Sequence, residues 1–80
     1  MAINNWIKYG NKHLKNRKIV DVRYMTDEEQ KHMNWNSKSI VIHLDNGSLL
    51  IPSRDDEGND AGALFGQTEL GEDLTFPVIS

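Results

Sequence analysis

Eighty residues bound a single domain, residues 1–80, and a chain this short buries only about 60% of the surface its unfolded form exposes. The absence of cysteine excludes disulfides, cysteine-based zinc sites and thiol nucleophiles. The net charge of −3 conceals an asymmetry: residues 1–44 hold eight Lys or Arg against four Asp or Glu, and residues 45–80 hold one against eight.

That layout creates an electrostatic dipole if the halves stay apart and cancels if they touch. The shortness of the chain favours contact. No apolar run approaches the ~20 residues of a membrane helix. The N-terminal charges follow the apolar residues rather than precede them, so a secretory leader is not expected. No membrane partner is expected, and a cytoplasmic location is the default.

Residues 3–15 carry an amphipathic helical pattern. Ile3, Trp6, Ile7, Gly10 and Leu14 fall within one arc of about 100°, while Lys8, Lys12 and Lys15 stack on a separate face. Gly10 weakens the helix but, on the apolar arc, would permit close backbone packing. Asn16 is a plausible stop. Residues 18–25 then alternate, with Val20, Val22 and Tyr24 interleaved with Asp21 and Arg23, as a half-buried strand does. Thr26-Asp27-Glu28-Glu29 matches a capping box and opens a short second helix ending near Asn34 or Asn36, with Met33 and Trp35 turned inward.

Residues 39–44 and 48–51 are two further strands. They are joined by Asp45-Asn46-Gly47, a hairpin signal because Asn and Gly tolerate positive φ. Ile40, Ile42 and Leu44 should share one face, and Val41 and His43 the other. Pro52 closes the third strand, and residues 53–62 read as a polar loop. A helical turn is expected at Ala61–Phe65, ended by Gly66, and a last strand at Leu74–Ile79, placed at an edge by Pro77. The expectation is therefore an α+β fold: a small bent antiparallel sheet of about four strands, or a partly open barrel, with an N-terminal helix and a short second helix. Trp6, Trp35, Phe65 and Phe76 are the largest candidates for its core.

The densest polar constellation is the acidic loop. Asp55, Asp56, Glu57 and Asp60 crowd carboxylates together, a ligand set suited to Mg²⁺ or Ca²⁺. The Ca²⁺-binding helix–loop–helix pattern fails whether it is started at Asp55 or at Ser53, and the preferred reading is that such side chains cap backbone N–H groups in an ordered loop. His43 lies mid-strand, where a catalytic or ligand role would need an acidic neighbour such as Asp55 or Asp56. The three histidines show no metal spacing, and no nucleophile elbow or phosphate-binding glycine pattern occurs. Arg54 is the one cation after residue 44. It and Arg23 are candidate partners for the loop, and at least one of them should pair with Asp55, Asp56, Glu57 or Asp60.

Two segments, KIVDVRYMTDEE (residues 18–29) and LLIPSRDDEGNDAGALFGQ (residues 49–67), resemble a group of short uncharacterised bacterial proteins. In that group a VRYMT-x-EE run precedes a DNG or DDG hairpin and a DDEGND-like loop. The resemblance spans residues 18–80. It implies a small stand-alone bacterial protein and carries no activity or substrate with it.

Three functional readings follow. The first is a small protein-interaction or structural module, self-associating as a homodimer or taking another protein, through an exposed strand edge or the apolar helix arc. The second is a divalent-metal-dependent enzyme or metal-binding protein using the loop at 55–60, with His43 or Glu57 as base. The third is nucleic-acid contact through the lysine stripe, disfavoured by the acidic overall charge. The chain offers no complete nucleophile–base set, so the first reading is preferred over an enzyme.

Overall fold

A computed structural model describes residues 3–53 and 61–79. Among them the chain runs α1 (Ile3–Leu14), β1 (Ile19–Tyr24), α2 (Asp27–Met33), β2 (Ile40–Leu44), β3 (Leu49–Pro52), β4 (Leu64–Gln67) and β5 (Asp73–Phe76). The strands form one antiparallel sheet in chain order, so every strand pairs with its sequence neighbour and β1 and β5 are the edges. The α+β class holds, but the sheet has five strands rather than about four. It is open, which removes the barrel alternative.

The additional strand lies where a helical turn was expected. Residues 61–63 are irregular, and Leu64–Gln67 pairs with both neighbours, Phe65 standing opposite Ile51 and Thr75. A helix of five residues cannot recover its nucleation cost. A strand with a partner on each side satisfies its N–H and C=O groups at once. The last strand is also shorter than expected and ends before Pro77, which has no N–H to offer a ladder.

The local signals at the helix ends behave as written in the sequence. Asn16 ends α1 region in the left-handed conformation (φ 64°) and Asn34 ends α2 in the same way (φ 59°). The capping box is complete: Glu29 N–H donates to Thr26 Oγ1 at 3.1 Å, and Thr26 N–H donates to Glu29 Oε1 at 2.9 Å. Lys38 Nζ then ties the following turn back to α2, 2.7 Å from Asp27 and 3.0 Å from Gln30 Oε1.

The β2–β3 hairpin is a three-residue loop. Gly47 adopts φ +84°, whereas Asn46 keeps an ordinary φ and accepts the Ser48 N–H at 3.0 Å. A Cβ at Gly47 would lie 2.8 Å from Cβ of Glu69. Gly47→Ala is therefore expected to cost about 1–2 kcal/mol, from left-handed strain before any contact with Glu69 is relieved. Urea denaturation checks this, and an unchanged midpoint would count against it.

Alternation divides the sheet into two faces. Arg23, Val41, His43, Leu49, Ile51 and Phe65 lie on the face covered by α2. Val22, Tyr24, Ile42, Leu50, Leu74 and Phe76 lie on the other, where Tyr9 of α1 meets Phe76 with ring centroids 5.2 Å apart. Val41 is completely buried, and Met25, Leu44 and Leu74 nearly so. The expected aromatic core is not found: Trp6, Trp35, Phe65 and Phe76 are each only half-buried. With one sheet and two short helices, no layer is thick enough to enclose an aromatic ring.

The helix arc is corrected too. No residue of α1 is buried, and Ile3 and Ile7 are exposed. The helix instead turns Tyr9, flanked by Trp6 and His13, toward the sheet. A Cβ at Gly10 would meet nothing within 4 Å, so this glycine serves no close packing. The basic and acidic halves touch through Arg17 and Asp45 at 3.7 Å, as the short chain suggested.

Candidate interaction surface

The predicted site residues separate into a described cluster and a segment outside it. Arg54, Asp55, Asp56, Glu57 and Asp60 lie outside the described residues, and with them the expected pairing of Arg23 or Arg54 with the loop. The flanks of that segment are joined, since Ser53 Oγ donates to the Ala63 carbonyl. Among the described residues, no group of three or more His, Asp or Glu is placed to hold a metal ion.

Arg23 and His43 do come together, through strand pairing and α2. Arg23 stands opposite Val41 on β2, two positions along from the Asp21–His43 pair and on the same face. Its Nη1 and Nη2 grip Glu29 Oε1 and Oε2 at 2.7 and 2.8 Å, a two-pronged contact that suits the planar guanidinium. Its Nε donates to His43 Nε2 at 3.1 Å, and Nη1 also reaches the Tyr24 carbonyl at 3.2 Å.

The hydrogen bond from Arg23, with the Thr26 backbone N–H second, holds the Glu29 carboxyl down to about 2, and the same bond to Glu29 raises the Arg23 pKa. The cluster fastens α2 across β1 and β2. VRYMT-x-EE is thus one structural unit, in which Thr26 caps the helix and Glu29 serves both the cap and the strand arginine. Its sequence signal was legible as a cap, but the arginine contact depends on where α2 folds back. His43 accepts a hydrogen bond from a cation here, which leaves it poorly placed as a base on that nitrogen.

Beside α2 lies an open groove of about 610 Å³ with Leu49, Ile51 and Phe65 along its floor and Glu28 and His32 on its rim. Its open side is the β4–β5 end, where Gln67, Asp73 and Thr75 are exposed.

The more unusual surface is β1 itself. As an edge strand it exposes Ile19, Val20, Val22 and Tyr24, with Val22 50% and Tyr24 64% accessible. Sequence reasoning placed these as a half-buried strand and missed how much of the row stays open. The reason is tertiary: α1 reaches the far edge of the sheet through Tyr9 and Phe76 and leaves β1 bare on that face.

The backbone of β1 is equally available. Met25 N–H donates to Ser39 O at 3.0 Å, which makes 25–39 a hydrogen-bonded pair of the β1–β2 ladder. Antiparallel ladders alternate, so Arg23 and Asp21 also aim their backbone groups at β2. Val22 and Tyr24 therefore carry theirs outward, away from the sheet. A bulge between Ile19 and Asp21 ends the regular stretch on the N-terminal side. No family model, no curated protein and no solved structure matches the chain.

Proposed function

We propose that this chain is a small protein-interaction module that self-associates through the open edge of β1. The observation that carries the reading is the combination at one edge of outward backbone donors and acceptors with an exposed apolar row, Ile19, Val20, Val22 and Tyr24. Proteins usually blunt such edges with charge, proline, a bulge or a covering element; in β1 the bulge lies only at the N-terminal end and the charges of Asp21 and Arg23 lie on the face opposite Val22 and Tyr24, so the stretch at 22–24 remains open to another strand. Strand addition joins the main chains by hydrogen bonds and shields the apolar row at the same time. A cytoplasmic setting belongs to this reading and rests on the cysteine-free composition.

Val22→Pro tests it. The Val22 N–H points away from β2, so proline there removes no bond within the sheet and is of the kind edge strands accept. Sedimentation velocity is expected to show concentration-dependent association of the wild type and a monomeric variant with an unchanged circular dichroism spectrum. A wild type that remains monomeric at millimolar concentration, or a variant that associates as the wild type does, would remove the reading.

A further inference from the structure

Resting on the reading that the β1 edge is used, we infer that the strand it takes is β1 of a second copy, antiparallel and in the single register that places Val22 opposite the partner's Val22.

In a new ladder the residues with outward N–H and C=O groups must pair with one another. On β1 these are Val22 and Tyr24. A two-fold pairing of the strand with itself therefore has few registers: one centred on Tyr24 sets Val22 against the partner's Thr26, where the strand has ended and the α2 cap begins, and the others are centred on Arg23, Asp21 or Val22. Centred on Arg23, it sets two arginines face to face. Centred on Asp21, it sets two aspartates face to face. Both place like charges directly opposite, which is unfavourable across strands.

Centred on Val22, the register does the reverse. The two Val22 residues exchange both backbone hydrogen bonds. Each Asp21 then stands opposite the partner's Arg23 in a non-hydrogen-bonded pair, the position where side chains approach most closely. Tyr24 reaches the partner's Val20, which lies in the bulge, so the regular ladder ends at that point. The segment Asp21-Val22-Arg23 is thus complementary to itself when reversed.

The side chains are able to meet this demand. Asp21 is exposed, and it already lies on the same face as Arg23, which feels its charge. A guanidinium has five N–H groups. Among the described residues Arg23 uses four of them: Nε on His43, Nη1 on Glu29 and the Tyr24 carbonyl, and Nη2 on Glu29. The second hydrogen of Nη2 remains for the partner's Asp21. The bulge falls before Asp21, so the residues that set the register are in the regular part of the strand. On the apolar face the rows of the two copies become continuous, Val22 beside the partner's Val22.

The chain has no cysteine, so Val22→Cys introduces a single thiol. In the inferred register the two Cα atoms sit about 5.5 Å apart, within the range a disulfide spans. Mild oxidation is expected to cross-link this variant to a dimer rapidly, and to leave Leu70→Cys, an exposed control away from the edge, largely uncross-linked. Asp21→Lys, which sets a lysine opposite the partner's Arg23, is expected to weaken self-association by about tenfold, the scale of two cross-strand charge pairs, with an unchanged melting temperature of the monomer. Suppose the wild type self-associates and Val22→Pro abolishes it, yet Val22→Cys fails to cross-link and Asp21→Lys associates like the wild type. The register is then wrong while use of the edge stands. A monomeric wild type overturns both.

Discussion

Gly66→Val is expected to destabilise the fold by about 3 kcal/mol, at the upper end of what overpacking costs. Gly66 sits in the middle of β4, paired with Leu50 on one side and Leu74 on the other. A Cβ there would fall 2.6 Å from the Leu49 carbonyl oxygen and 3.2 Å from Cδ2 of Leu50. The nearest obstacle is backbone of a neighbouring strand, which cannot rotate aside as a side chain does. Relief requires β3 and β4 to separate, and this disturbs the buried Leu74 next to them. For a domain of this size such a loss lowers the melting temperature by roughly 10–20 °C. Leu70, 85% exposed, provides the comparison: Leu70→Ala should stay within about 0.5 kcal/mol. Thermal denaturation of the two variants decides the matter, and a Gly66→Val protein as stable as Leu70→Ala would refute the packing argument.

Glu29→Ala should cost about 2 kcal/mol, because one carboxylate serves two structures. It completes the helix cap with Thr26 and holds Arg23 with two hydrogen bonds. Losing a cap alone costs on the order of 1 kcal/mol. The ion pair adds a similar amount rather than more, since both side chains are about one-third exposed (33%) and solvent screens them. The pH dependence has a definite sign. Glu29 is more acidic in the folded chain, at about 2, than an ordinary glutamate at about 4.3. Its contribution is therefore complete above about pH 5 and fades as the pH falls toward 2. Urea denaturation of wild type and Glu29→Gln should show the largest stability difference near pH 6 and convergence near pH 2. A difference that stays constant across that range would show that Glu29 acts other than through its charge.

Much of the architecture is legible locally. The α2 capping box, the left-handed stops at Asn16 and Asn34, the Asn46-Gly47 hairpin and the alternation of β1 and β2 all follow from neighbours within a few residues. Interactions of this range are encoded in short stretches of chain, and the surrounding fold does not alter them. The turn at Asn46 shows the margin of error: its role as a turn residue was clear, but it acts by accepting the Ser48 N–H and not by adopting positive φ.

The α+β class, both helices and the hairpin thus follow from caps, turns and periodicity, which are local physics. That Leu64–Gln67 is a strand came from the surrounding sheet, since four residues choose between helix and strand according to whether partners flank them on both sides. Tertiary packing alone decided that Arg23 holds Glu29, two residues brought into contact when α2 folds back on the sheet. It alone decided that the apolar row of β1 stays open while Val41 is sealed, because burial depends on where α1 and α2 come to rest and not on how apolar a side chain is.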